Sequence, residues 1–193
     1  MDMVDLRSDT LSQPTAEMRA AVAAARVGDD GYGEDPTARQ LEEMAAGLTG
    51  KEAAMLFITG TQANLAALLV WCQRGHEILV GDLSHIFVLE GGGAAALGGI
   101  HPCALPNQAD GTIDLEALEA AVRPDDKHFA RTRLVCLENS HMICGGPALK
   151  PGYADAVADL ARRYGLLLHL DGARIFNAAA AQGVSARVLA EPV

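Results

Sequence analysis

Aromatic residues are scarce in this chain, at 4% of 193, and its four cysteines include no closely spaced pair. Cysteine-based zinc and redox motifs use such pairs, so Cys72, Cys103, Cys136 and Cys144 are read as reduced thiols that mostly pack; no metal is expected. No apolar run approaches the length of a membrane span. The opening MDMVDLRSDT has neither the basic start nor the apolar core of a signal peptide, so a cytoplasmic protein without a membrane partner is expected. Basic clusters are absent too: 15 Lys and Arg stand against 25 Asp and Glu, a formal charge of -10, with nothing to follow a phosphate backbone. Nucleic acid is not an expected partner. No internal repeat or low-complexity linker divides the chain. What it does have is apolar residues, half of the total, enough to bury the core of one domain or one and a half.

Those residues fall into alternating strand and helix patterns. A polar segment, DLRSDT at 5–10, is too short to stand alone and must dock elsewhere, and a helix follows Pro14 with Met18, Val22 and Ala25 along one face. GDDGYGEDPT at 28–37 reads as a loop, closed by Asp35 and Pro36 as N-cap and first residue of a helix through Leu41, Met44 and Leu48 that stops near Gly50. A first strand is expected over 53–58, then a helix from the Thr59-Gly60-Thr61-Gln62 turn, carrying Leu65, Leu68, Leu69 and Cys72 and ended by Gly75. Strands follow at 77–81, 100–105, 133–138 and 166–170, with helices at 85–97, after Asp114 and at 153–164; Gly91, Gly92 and Gly93 weaken the first of these. This is the β-α-β rhythm of a parallel sheet with helices on both faces.

The stretch LLLHLDGARIF at 166–176 organises the rest. Its leucine run between Gly165 and Gly172 reads as a strand buried on both faces, ending on Asp171 at the carboxyl edge, where open α/β sheets bind ligands. By itself the stretch fits equally a ligand-binding carboxylate and a residue that caps the next turn. The Thr59 to Gln62 turn at a helix start gathers free N–H groups that suit a phosphate, although taken alone it reads rather as an ordinary capped helix. It is neither a Walker loop nor a dinucleotide glycine triplet. His85 and His141 follow strand ends and so share the Asp171 edge, where His85 is placed to stack on an aromatic ligand or move protons. His128 precedes its strand, which puts it at the opposite edge unless its loop serves another subunit, while His101 and His169 lie within strand runs and read as packing residues.

DLRSDT (5–10), VGDDGYGEDPT (27–37), TGTQAN (59–64), SHI (84–86), HFARTRLVCLENSH (128–141) and HLDGARIFNA (169–178), in this order, resemble the low-specificity L-threonine aldolases along the whole chain. That resemblance implies a fold-type I pyridoxal 5'-phosphate (PLP) enzyme: a three-layer αβα large domain with a mostly parallel sheet, here incomplete at the C-terminus, cleaving threonine or allo-threonine to glycine and acetaldehyde. Residues 1–50 would pack on a partial PLP-binding domain at 51–193. It further implies that Asp171 pairs with the pyridinium nitrogen, which favours the functional reading of that residue. Gly60 and Thr61 would hold the cofactor phosphate, His85 would lie against the ring, and Ser8 and Arg174 would bind the substrate carboxylate. His85 and His128 are the catalytic candidates, His128 from the resemblance only. Ser140 and Gln62 stand where the family commonly has Thr and Met.

The same resemblance implies a cofactor-bearing lysine in a Ser-Lys-Gly segment and a second carboxylate-binding arginine, both beyond Val193, together with a small C-terminal domain. Lys51, Lys127 and Lys150, the only lysines in the sequence, do not match that segment. Function is therefore expected of a longer, homo-oligomeric polypeptide, with residues 1–193 inactive alone and their sheet open-edged and prone to associate. The alternatives are a non-catalytic PLP-binding remnant or another fold-type I activity such as β-elimination. In the family's seven-stranded sheet the last two strands lie between the first strand and the Asp171 strand, so the Thr59 to Thr61 turn and Asp171 are expected to flank a gap.

Overall fold

The computed structural model describes residues 4–193. After a single helical turn at Asp9–Leu11 come α1 (Ala16–Ala24), a second single turn at Asp30–Tyr32, α2 (Pro36–Thr49), α3 (Gly60–Trp71), β1 (His76–Gly81), α4 (His85–Val88), α5 (Gly93–Ala96) and β2 (His101–Leu105). The chain continues with α6 (Leu115–Ala121), β3 (Arg131–Glu138), α7 (Pro151–Arg163), β4 (Leu167–Asp171), α8 (Ile175–Gln182) and α9 (Ala186–Ala190). The four strands pair in parallel in the order β2-β1-β3-β4. The expected α/β fold is present.

Local chemistry sets the helix ends as expected. Asp35 Oδ1 accepts from the N–H groups of Thr37 and Ala38, both at 2.9 Å, Pro36 occupies the first turn, and Gly50 closes α2 in the left-handed conformation. Asp114 caps α6 through the Ala117 N–H. Side-chain alternation then sorts the sheet into two faces. Leu79, Val135 and Leu137 face α6 and α7 with Leu118, Val157 and Leu160, whereas Ile78, Val80, Leu134 and Cys136 face α3, α4 and α5 with Leu68, Ile86 and Ala94. On β4, Leu168 and Leu170 join the first cluster and Leu167 the second. His169 and Asp171 share the parity of Leu167 and so point to the α3 side.

Several expectations are corrected. Residues 53–58 form no strand, because no neighbouring strand pairs with them; the Leu56 N–H donates instead to Glu42 Oε1 at 2.8 Å, and Ile58 stays exposed. β4 is half-buried throughout rather than buried on both faces, since only β3 pairs with it and its other edge has no partner among the described residues. That is the expected open edge. The helix expected over 85–97 breaks into α4 and α5, where Gly91 and Gly92 adopt φ of +62° and +68°. α3 ends at Trp71 rather than at Gly75, and α8 and α9 follow the Asp171 strand where sequence patterns gave no expectation. All four cysteines are free thiols, with Cys72 and Cys136 buried.

Candidate active site

The carboxyl ends of β3 and β4 lie side by side, with Glu138 and Asp171 in register. Glu138 is buried and acts as a bracket: its Oε2 accepts from the His85 backbone N–H at 2.7 Å and its Oε1 from that of Met142 at 2.9 Å. This fixes the start of α4, and with it His85, beside Asp171.

A hydrogen-bonded group then joins β4, α3 and the α4–α5 turn. Asn64, buried on α3, donates through Nδ2 to Asp171 Oδ2 and to Glu90 Oε1, both at 2.8 Å, and its Oδ1 lies 3.0 Å from His169 Nε2. Glu90 Oε1 is also 2.8 Å from His85 Nδ1. Asp171 Oδ1 accepts from the Ala173 N–H at 3.1 Å, which turns the chain into α8. Burial pushes the His169 imidazole below its usual titration range, against a smaller opposite pull from Asp171, so the ring is neutral and Nε2–H donates to Asn64. His85, Glu90 and Asp171 place one ligand atom each within 4.8 Å of one another.

Asn64 lies one turn inside α3, so its bond to Asp171 also locates the helix N-terminus. Thr59 caps that end by accepting from the Gln62 N–H, and the first-turn N–H groups of Gly60 and Thr61 have no carbonyl one turn back to receive them. Both residues are exposed. Four residues of helix separate Gly60 from Asn64, about 6 Å along the axis, so an anion-binding end and a carboxylate stand a short span apart. The gap expected beside Asp171 is one of the sheet, whose β4 edge has no partner among the described residues; α3 packs on the sheet face, and its Asn64 amide reaches Asp171.

Arg174, at the start of α8, is engaged by the N-terminal segment. Its Nε and Nη2 donate to Asp9 Oδ2 and Oδ1 at 2.5 and 2.8 Å, a two-pronged pairing of the kind carboxylate recognition uses. The guanidinium holds the Asp9 carboxyl below its usual range. Ser8 is next in sequence to Asp9 and exposed, with its Oγ 2.8 Å from Thr10 Oγ1. Asp9 thus tethers the N-terminal segment to Arg174, the residue expected to bind a substrate carboxylate.

His128 is not brought in. It is exposed in the loop before β3, bonded to Asp126 through Nδ1 at 2.7 Å, at the opposite end of an eight-residue strand from Glu138. The lysines are elsewhere as well: among the described residues, Lys51 bonds the Val193 carbonyl, Lys127 shares the His128 loop and Lys150 caps α7, and none has a hydrogen bond to Asp171, His85 or Asn64. His101 is exposed rather than packed, His169 belongs to the Asn64 group, and His141 is fully buried with neither ring nitrogen hydrogen-bonded in the described structure. Sequence reasoning passed over Asn64, Glu90, Glu138 and Asp9.

Helices flanking a parallel sheet, with a carboxylate and an imidazole at its carboxyl edge beside a helix N-terminus, define the class of fold-type I PLP proteins. The chain belongs to the β-eliminating lyase family, whose model matches residues 5–193. It is 52% identical over 184 residues to probable low-specificity L-threonine aldolase 2 of Arabidopsis thaliana, a match covering 94% of this chain and 52% of that protein. With low specificity L-threonine aldolase of Escherichia coli K12 it shares 50% identity over 181 residues, covering 94% and 54% respectively. Among solved structures, threonine aldolase of Leishmania major superposes with a TM-score of 0.76 at 22% identity, over 92% of this chain and 51% of that one, a likeness of fold. The chain spans about half the length of the curated relatives it matches.

Proposed function

We propose that this chain supplies the cofactor-binding half of a PLP-dependent aldolase that cleaves L-threonine or L-allo-threonine to glycine and acetaldehyde. The observation that carries the reading is the Asp171, Asn64, Glu90 and His85 group beside the α3 N-terminus, in a chain half identical to enzymes named threonine aldolases. The residues fit the cofactor at both ends: a carboxylate for a ring nitrogen, and exposed helix-start N–H groups for a phosphate. PLP, when bound, supplies an electron sink for the pair released as the substrate Cα–Cβ bond breaks.

The chain's own residues divide the rest of the work. Asp171, with one oxygen on Asn64 and the other on the Ala173 N–H, holds a proton on the ring nitrogen. Gly60 and Thr61 bind the phosphate through N–H groups at the positive end of α3. With its Nδ1–H donated to Glu90, the neutral His85 ring would leave Nε2 free to take up a proton from a substrate hydroxyl. Ser8 and Arg174 bind the substrate carboxylate after Asp9 yields its place. His128 reaches that substrate only across a subunit interface, so a homo-oligomer belongs to the proposal, as does a cytoplasmic location. With none of its three lysines at the site, the 193-residue chain is expected to bind PLP without turning over threonine.

The test has two parts. PLP titrated into the purified chain should change the cofactor's absorbance saturably, and Asp171→Ala should weaken that binding by about tenfold or more, the loss of a charge-assisted hydrogen bond. Fused to the C-terminal half of the E. coli relative, the chain should release glycine and acetaldehyde from threonine. Absence of PLP binding sinks the reading; pyruvate from serine in place of acetaldehyde from threonine redirects it to β-elimination.

A further inference from the structure

The buried amide between the two carboxylates is the feature that the reaction outlined above does not use. An uncharged side chain rather than a cation separates Asp171 from Glu90, and its orientation is determined. Nδ2 has two hydrogens and faces two carboxylate oxygens, which accept only; Oδ1 faces a neutral His169, whose Nε2–H must donate. Turning the amide over would set its oxygen against both carboxylates and leave His169 facing a second donor. The amide therefore has a single satisfied orientation.

Two consequences run in opposite directions from that amide. Toward β4, Asn64 fixes one oxygen of Asp171 and leaves the plane of the carboxylate defined by it and the Ala173 N–H. Toward α4, it fixes Glu90 Oε1, which then receives the His85 ring at Nδ1. A carboxylate partner there requires a hydrogen on Nδ1, so of the two neutral tautomers it selects the one whose Nε2 carries the lone pair. Asn64 also sits on α3, one turn from the Gly60 and Thr61 end, so one side chain relates all three contacts expected of the cofactor.

We propose that Asn64 is a positioning residue for the cofactor ring: its amide, turned by His169, sets the Asp171 carboxylate and, through Glu90, holds His85 as the Nδ1–H tautomer. The inference rests on the PLP reading above. Glu90 is the intermediate member, and its side chain is only 5% exposed, which keeps water from replacing it.

The probes are PLP itself and the ring nitrogens of His85. Asn64→Leu, close in volume and without donors, should weaken PLP binding about tenfold or more. In the same variant, with a thermal melt as the check on folding, nitrogen NMR should report His85 moving from Nδ1–H to a mixture of tautomers. Glu90→Gln alone, whose amide oxygen Asn64 still addresses, should keep the Nδ1–H form, and adding Asn64→Leu should lose it, a dependence that a purely structural role would not require. Unchanged PLP affinity or an unchanged His85 tautomer in folded Asn64→Leu overturns the proposal. Should Asn64→Leu fail to fold, Glu90→Leu decides by the same tautomer reading: a mixture supports the relay and a retained Nδ1–H form overturns it. An unsubstituted chain that binds no PLP refutes the PLP reading and this inference together, whereas binding that ignores Asn64 refutes the inference alone.

Discussion

Neutral His169 makes stability depend on pH in a way that one substitution isolates. Burial lowers its folded pKa from 6.5, so between those two values the unfolded chain binds the proton that the folded chain refuses. Stability is thus full above pH 6.5, falls as the solution is acidified through that value, and stops falling below the folded pKa. If the folded ring stays neutral throughout, acidification from about pH 7 to about pH 5.5 costs at most about 1.3 kcal/mol from this residue, the unfolded titration taken over that interval. His169→Gln retains a donor for Asn64 Oδ1 and removes the titration. Urea unfolding of both proteins at a series of pH values should give curves that converge as pH falls, with the variant the flatter. His76, also lowered by burial and by Arg131 and Arg133, is present in both and drops out of the difference. Parallel curves would mean that His169 titrates alike in both states, and its assignment as a neutral ring would lose its basis.

Leu79, fully buried between β1 and the α6–α7 layer, should cost about 2–5 kcal/mol when cut to Ala, whereas Leu69→Ala on the exposed side of α3 should stay within about 0.5 kcal/mol; denaturant midpoints decide. Gly111→Ala should destabilise by about 1–3 kcal/mol in a thermal melt, because φ there is +81° and the new Cβ would lie 2.7 Å from His141 Cβ. Asp9→Asn should loosen the N-terminal segment and speed tryptic cleavage after Arg7. Because its folded pKa is depressed by Arg174, the unsubstituted Asp9 tether is present above the ordinary value of 3.8 and lost as pH falls through the lower one, so cleavage rates should not vary between about pH 6 and pH 8 beyond the protease's own profile.

Periodicity carried the sheet because β1, β3 and their helices satisfy their own local rules: Ile78, Leu79 and Val80 are a continuous apolar run, and Asp35, Thr59 and Asp114 cap the helices expected of them. Residues 53–58 have the same apolar character without becoming a strand, since pairing is a property of two segments and no second strand pairs with them among the described residues. Asn64 and His169 were hidden for a related reason. Each lies on a recognisable pattern, Asn64 one helical turn before Leu68 and His169 two residues before Asp171, but an amide on one element and an imidazole on another become a network only when α3 crosses β4. The signal was available in part: the alternation of Leu167, His169 and Asp171 assigns all three to one face. Asp9 gave less, since a polar hexapeptide says that it must dock and not where.

The two ends of the site differ in how firmly this chain holds them. At the proposed ring end, buried Asn64 and Glu138 and half-buried Asp171 and Glu90 are bound to one another or to backbone N–H groups, where an unpaired partner would be costly. At the carboxylate end, Arg174 is held by Asp9, whose side chain is 58% exposed, and an exposed ion pair is weak and screened by salt. Asp9 therefore occupies the Arg174 fork without blocking it: an incoming carboxylate exchanges one like-charged partner for another, with no buried charge left unpaired. On the proposed reading, preorganisation at the ring and exchange at the carboxylate would suit a site that keeps its cofactor and releases its amino acid. The same contrast separates the variants experimentally, because raising salt should free the N-terminal segment to proteolysis while the His85 tautomer, set by buried partners, stays as it was.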